Sequence, residues 1–360
     1  MGSTNKTYFF KNKPLFGLDI GSASLKVMQL DPETLHAAQP KLIGYGAIKF
    51  DHTAVDNGVV VAPEVVAEAM HKLFSGQLTG DITTRRVAMA IPAYRTFTRA
   101  ISLPALKPKE IADAVQLEAE QYIPLPPEDI YLDYTVLSTK KDSTEVFAVA
   151  VPRKIVDSYL ELAKLTGLEV VAIETTLGGG SKLFAQDKQS NGASVIIDFG
   201  SLSSDISIFD KNILVTGTVQ GGGAVFTNSI KDKLKVTQTE ANIIKNKYGL
   251  SLSKKQAEIQ AALEPTLQQI VREIRRMIRY YEERYGSESP INQAVTLGGG
   301  ANMPGLTEYL TASLRLPVRH CEPWQYFNVN RMEQPSKADK PMYATAAGLA
   351  LIDPKEVLES

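Results

Sequence analysis

The chain has 360 residues, 44% of them hydrophobic and 22% charged, with a formal net charge of −1 and one cysteine, Cys321. That length favours two or more cores. The even charge balance argues against general attraction to nucleic acid or an anionic membrane, and a lone cysteine excludes an internal disulfide and suits a reducing cytoplasm.

No run of 18 apolar residues and no signal-peptide pattern occurs, so work at a membrane would depend on a partner. Residues 1–13 are polar and expected to be loose. Residues 15–30, LFGLDIGSASLKVMQL, read as strand, turn and strand, with a third strand over 43–50. Residues 63–74 form an amphipathic helix, with Val65, Val66, Ala69, Met70 and Leu73 at helical spacing. A strand over 87–91 closes at Pro92.

The next stretch changes character. It reads as a strand over 97–103, a helix over 109–122, strands over 131–138 and 146–151, and a helix over 152–166 stopped by Gly167. This unit carries no Asp-Gly-Ser turn and is expected to serve contacts rather than chemistry. A strand over 169–173 leads to Glu174 and then to a helix containing Gly178, Gly179 and Gly180. Each glycine costs about 0.8–1.0 kcal/mol against alanine inside a helix. Either the helix starts after Gly180, or close backbone packing requires glycine there.

Residues 194–209, SVIIDFGSLSSDISIF, repeat the opening hairpin without a gap. Asp198 falls on Asp19, Gly200 on Gly21, Ser201 on Ser22, Ser203 on Ser24 and Ile206 on Val27. One such turn is ordinary hairpin chemistry; two imply two halves of like fold facing each other. A carboxylate at a strand end, followed by Gly, lets the backbone turn with positive φ and suits a phosphate with its cation.

A strand over 213–219 runs into Gly221, Gly222 and Gly223 and a helix from Ala224. Thr237 and Glu240 form a capping box, and Gly249 ends that helix. The longest helix is expected over about 264–285, with its core stripe on Leu263, Leu267, Ile270, Ile274, Met277 and Tyr281. A strand over 294–297 meets GGGANMPGL, then come a helix over 306–314, a short strand over 318–320, and an irregular stretch with Trp324. A helix over 342–351, rich in small residues, closes the chain. No P-loop, complete GxGxxG, nucleophile elbow or metal-cage spacing is found. Glycine-rich turns after strands and two turn carboxylates suit a nucleotide held between two lobes.

These motifs resemble the actin/DnaK/hexokinase superfamily. DIGSASLK (19–26) looks like its first phosphate motif, DFGSLSSD (198–205) its second, and LGGGANMPG (297–305) its adenosine motif. Within the superfamily, the insert LPALKPKEIADAVQLEAEQYIPLPPEDIYLDY resembles the PilM family of type IV pilus and related secretion machines. The resemblance implies an α/β, actin-like (ribonuclease H-like) two-lobed fold with an FtsA/PilM-type inserted subdomain. It divides the chain into a first actin-like subdomain (14–95 and 168–190, with the closing helix 342–352), an inserted partner-binding subdomain (96–167), a second actin-like subdomain (191–228 and 291–341), and a helical nucleotide-capping subdomain (229–290).

Roles carried over by the resemblance imply ATP and Mg2+ as cofactors. Asp19 and Asp198 would surround the magnesium. Gly21, Ser22, Ala23, Ser24 and Lys26, with Gly200, Ser201, Ser203 and Ser204, would hold the phosphates. Gly222, Gly223, Gly298, Gly299, Gly300 and Asn302 would line the nucleotide, with Lys245 near the ribose and base. Asn242 stands where the family pattern has Glu, which removes charge assistance to a ribose hydroxyl. Glu174 takes the place of the acidic residue that positions attacking water, with hydrolysis expected to be slow at most. The implied partner is the cytoplasmic N-terminal peptide of a PilN-like inner-membrane protein, in a groove between the first subdomain and the insert. Pilus motor ATPases and self-association are further implied partners. The protein would be cytoplasmic, peripheral to the inner membrane through its partner, with no nucleic acid bound. An FtsA-like filament-forming ATPase and a small-molecule kinase are the alternatives; the acidic ending DPKEVLES lacks the basic amphipathic helix expected of FtsA.

Overall fold

The computed structural model describes residues 13–186, 192–286 and 289–359. The expectation for residues 1–12, and the boundary expected at 190–191, lie outside the described residues. The first half comprises β1 (Phe16–Ile20), β2 (Ser24–Leu30), β3 (Leu42–Lys49), a short hairpin β4 (Val55–Asp56) and β5 (Val59–Val60), α1 (Pro63–Gly76), β6 (Thr79–Gly80) and β7 (Arg86–Ile91). Next come β8 (Phe97–Pro104), α2 (Pro108–Ala119), β9 (Ile130–Thr139), β10 (Ser143–Pro152), α3 (Arg153–Thr166), β11 (Glu169–Thr175) and α4 (Thr176–Ala185). The second half holds β12 (Ala193–Phe199), β13 (Ser203–Asp210), β14 (Asn212–Gln220), α5 (Gly223–Leu234), α6 (Gln238–Lys247), α7 (Gln256–Tyr285), β15 (Ile291–Leu297), α8 (Leu306–Leu314), β16 (Val318–His320), α9 (Ala344–Ala350) and α10 (Pro354–Glu359).

The two main sheets share one plan. Their orders are β11-β7-β1-β2-β3-β6 and β14-β13-β12-β15-β16. In each, a central strand (β1 or β12) pairs antiparallel with its hairpin partner and parallel with a later strand (β7 or β15). The two repeated hairpins therefore occupy equivalent places, and both tips lie at the same end of their central strands.

Each sheet buries its outer face under its own helices. Val66 and Leu73 of α1, with Ile155, Tyr159 and Leu162 of α3, cover the first sheet. Phe226 of α5, a stripe from Ile259 to Tyr281 on α7, and Leu306 and Leu310 of α8 cover the second. α3 thus shares the first lobe's core. The inner faces share a third core. There Leu183 and Phe184 of α4 and Ala346 and Ala347 of α9 meet Met28 from one sheet and Ile196 and Val295 from the other. Trp324, Tyr45 and Tyr343 stack edge-on within it, with centroids 5.2–5.5 Å apart, an arrangement that adds to simple burial.

The glycine run at 178–180 lies inside α4 rather than before it. The tightest approach falls on its partner helix. A methyl on Gly348 of α9 would lie 1.8 Å from the Gly179 carbonyl oxygen, while one on Gly179 would lie 3.2 Å from Thr345 and Leu349. Gly17 of β1 is similarly required, since a methyl there would lie 2.1 Å from the Ala346 carbonyl. α9 therefore lies wedged between a strand and a helix at backbone distance.

Two helix ends differ from the sequence reading. α7 starts at Gln256 and runs through Pro265, because Ile259 and Leu263 are fully buried and extend the stripe past the proline. Proline there forfeits one helical hydrogen bond, which that burial offsets. α2 stops at Ala119, since the amides of Tyr122 and Ile123 turn back on the Ala119 carbonyl.

The insert is a three-stranded sheet, β8-β10-β9, with α2 on one face. It is tied to the second lobe: Glu145 on β10 accepts from Arg284 at 3.0 Å and from the Tyr285 hydroxyl at 3.1 Å, both in the last turn of α7.

Candidate functional site

Both hairpin tips open into one cleft of about 670 Å³ between the two sheets, a size suited to a small ligand. Each tip is set by its β-ladder. Asp19 stands opposite Lys26, and the ammonium lies 3.1 Å from Asp19 Oδ2, both largely buried. At the equivalent position of the second hairpin, Asp198 stands opposite Asp205. Asp205 accepts from the Thr218 hydroxyl at 2.6 Å. Burial, then the neighbouring Asp205 and Asp19, push the Asp198 carboxyl up to about 8, with Lys26 opposing. Burial raises Asp205 to about 6, against the Thr218 bond. Burial sets both shifts first, and Asp198 alone is raised further by its neighbouring carboxylates.

Neither Gly21 nor Gly200 takes positive φ, contrary to the sequence expectation. Glycine serves close approach instead: a methyl on Gly200 would lie 3.1 Å from the Ser203 carbonyl, and one on Gly21 3.2 Å from Lys26 Nζ. Positive φ falls on Gly298, at 83°, where a methyl would also lie 2.2 Å from Asp198 Oδ1. That glycine lets the third glycine segment lie directly against the second carboxylate.

The glycines of α5 brace the second hairpin. Gly223 and Ala224 amides donate to the Gly200 and Ser201 carbonyls, both at 2.9 Å. A methyl on Gly222 would lie 2.4 Å from the Gly200 oxygen. Lys245 reaches over from α6 and donates to the Gly223 carbonyl at 2.8 Å and the Thr227 hydroxyl at 2.9 Å. Burial lowers its pKa. Among the described residues, no carboxylate pairs with it, so the cleft wall presents an uncompensated cation to any anion that enters.

The cleft brings together Asp19, Gly21, Ser22, Ala23, Ser24, Lys26, Asp198, Gly200, Ser201, Ser203, Gly223, Asn242, Lys245, Gly298, Gly299 and Gly300. Four sequence-selected residues lie elsewhere. Ser204 is fully buried and donates to the Gly221 carbonyl. Gly222 sits behind the second tip, and Asn302 lies at the end of a short 3-10 turn, Gly299–Asn302, off the cleft wall. Glu174 lines another cavity, against the insert. Its carboxylate pairs with Lys182 of α4 at 3.0 Å. It ends β11, the outermost strand of its sheet, whereas the hairpin carboxylates sit on the central strands.

Sequence reasoning missed Asp205, Thr227, Gln238 and Thr239, which also line the cleft. Asp205 was legible through alignment of the hairpins, where it replaces Lys26. The other three come from α5 and α6, and only the packing of those helices on the second hairpin brings them in. Among the described residues, no group of three His, Cys, Asp or Glu forms a preassembled metal cage, and no helix is long and apolar enough to cross a membrane.

The structure is similar to the PilM-PilN type IV pilus biogenesis complex, with a TM-score of 0.82 and 23% identity, covering 94% of this chain and 98% of that one. It is also similar to the ethanolamine utilization protein EutJ from Carboxydothermus hydrogenoformans (TM-score 0.55, 16% identity, 94% and 89% covered). A third likeness is MreB 5 of Spiroplasma citri bound to AMPPNP (TM-score 0.53, 13% identity, 93% and 94% covered). The fold is therefore the actin-like one. The profile described as type IV pilus assembly protein PilM matches residues 17–353, and the chain belongs to that family.

Proposed function

We propose that the chain is a cytoplasmic, ATP-binding adaptor of a type IV pilus inner-membrane platform that holds the N-terminal segment of a PilN-like protein. The observation that carries the nucleotide half is the facing pair of Asp-Gly-Ser hairpins with Gly298 against Asp198 in one cleft. The hairpin hydroxyls and Lys245 suit phosphate oxygens. Gly299, Gly300 and Asn242, which also line the cleft, suit a flat base and ribose.

A magnesium ion fits the donor set. Asp19 and Asp198 meet in one cleft, with Asp205 beside Asp198 on the second hairpin. Mg2+ keeps several waters and binds through one or two carboxylates plus phosphate oxygens, which needs no all-protein cage. Bound there, it would offset part of the triphosphate's charge beside the carboxylates. Lys26 would orient Asp19, and the Thr218 hydroxyl would orient Asp205.

The partner half rests on a second cavity of about 600 Å³ where the insert meets β11, α4 and the β13–β14 turn, lined by Val149, Val151 and Ile173 with Glu174, Lys182 and Ile213 at its wall. The MreB 5 structure bound to AMPPNP and the PilM-PilN complex support these two halves as precedents in the same fold. The test is a pull-down of the full chain by a synthetic N-terminal peptide of a PilN-like protein, with and without Mg-ATP. Capture that Ile173→Asp abolishes is expected. Capture unaffected by that substitution would move the partner elsewhere.

A further inference from the structure

A second lysine stands on the cleft face of the first sheet. In the β2–β3 ladder Ser24 is opposite Lys49, and Lys26 is opposite Ala47. Residues two apart on a strand share a face, and cross-strand partners share it too. Lys26 turns its ammonium onto Asp19 inside the cleft, so Ser24 and Lys49 stand on that same face. The next residue ties the end of β3 to the first tip: the Phe50 amide donates to the Ala23 carbonyl at 3.1 Å. Lys49 accordingly lines the cleft, at its exposed rim.

The cleft lysines differ in what holds them. Lys26 is buried against Asp19, and Lys245 is bonded to the Gly223 carbonyl and the Thr227 hydroxyl. Among the described residues, no hydrogen bond or ion pair holds the Lys49 ammonium. A compact charge with three donors on a flexible stem can therefore turn to an anion at the first tip without breaking a bond. The lysines differ also in lobe. Lys245 belongs to the second half, with Asn242, Gly299 and Gly300, so the base and ribose would lie on that side. Lys49 belongs to the first half, beside the first tip. Of a nucleotide's groups, the far end of the phosphate chain is the one that would reach it.

We infer that Lys49 takes the terminal phosphate of a nucleoside triphosphate and so sets a preference for triphosphate over diphosphate. The inference rests on the reading above that the cleft binds a nucleotide, and it specifies which phosphate state the site favours. With the triphosphate bound, the Ser24 hydroxyl and the Lys49 ammonium would meet one phosphate from opposite sides of the ladder, the lysine through a charge-assisted hydrogen bond. With the diphosphate, Lys49 would return to solvent, where an exposed cation contributes little.

The test is calorimetric titration of the full chain with Mg-ATP and, separately, with Mg-ADP. The wild type should bind ATP more tightly. Lys49→Met should weaken ATP binding by about tenfold, the worth of one charge-assisted hydrogen bond, and ADP binding by less than about twofold. Lys49→Arg, which keeps the charge, should restore most of the preference. Retained ADP binding also shows that the variant is folded. Equal losses for the two nucleotides would put Lys49 on a nearer phosphate and overturn the assignment. No loss for either would overturn it too, leaving a solvated lysine at the rim. If the wild type binds neither nucleotide, the reading of the cleft itself falls, and this assignment with it.

Discussion

Asp205 faces Asp198 across the second hairpin, at the ladder position where the first hairpin sets Lys26 against Asp19. The repeat is thus geometrically symmetric and electrostatically unequal. One hairpin neutralises its own carboxylate, and the other doubles it. The second tip therefore carries a buried pair of carboxyl groups with no lysine between them.

Burial of that pair predicts a pH dependence. The Asp198 and Asp205 pKa values are raised in the folded state, to about 8 and about 6, above the ordinary carboxylate value of about 4. The folded state therefore holds protons that the unfolded chain has released. Stability is full below about pH 4 and falls as pH rises through about 8. Urea midpoints of the nucleotide-free protein should drop between about pH 5.5 and about pH 8.5. Asp198→Asn should flatten the profile; an equally steep profile in that variant would place the titrating group elsewhere.

Lys245 predicts a split between stability and binding. It is half-buried and bonded to a carbonyl and a hydroxyl, without a counter-ion among the described residues. Gly223 keeps the Thr227 hydroxyl as a donor when the ammonium is removed. Lys245→Met should therefore change stability by less than about 1 kcal/mol and weaken nucleotide affinity by about tenfold or more. Isothermal titration with Mg-ATP, beside a melting curve, checks both. Unchanged affinity would remove Lys245 from the site.

The wedge of α9 predicts a contrast between glycines. Gly348→Ala puts a methyl 1.8 Å from the Gly179 oxygen, which only backbone movement can relieve. A loss of about 1–3 kcal/mol or more is expected in denaturant unfolding. Gly180→Ala meets nothing nearer than Leu297 at 3.8 Å. It should be neutral or stabilising by up to about 1 kcal/mol through helix propensity. Equal effects at the two positions would contradict the packing described.

Arg284 and Tyr285 hold the insert to α7 through Glu145. Glu145→Ala should cost about 1–3 kcal/mol, because it strands a partly buried guanidinium and a phenol. It should also speed proteolysis within the insert before the lobes unfold. Global unfolding with no earlier cleavage would mean that the tie does not hold the insert.

The hairpins were legible because their signal is local. A strand, a carboxylate, glycine and hydroxyls within one short window define a tip wherever the chain goes. The glycines before α5 and after β15 were legible for the same reason. Glu174 was not, because its distance from the cleft depends on sheet order: β11 is outermost, and no residue within the segment reports that. Thr227, Gln238 and Thr239 reach the cleft only through the packing of α5 and α6 on the second hairpin. α7 was cut short because no signal within the segment marks Gln256 as its start, while Ile259 is held by a core assembled from distant strands.

The central claim is that the two hairpins form one cation-dependent nucleotide clamp. Its most direct test is calorimetric titration of ATP into the wild type, Asp19→Ala and Asp198→Ala, each with magnesium and with excess chelator. Wild-type binding should require magnesium, and each substitution should weaken it by about tenfold or more. ATP binding that persists at wild-type affinity in both variants, or that ignores magnesium, would contradict the clamp.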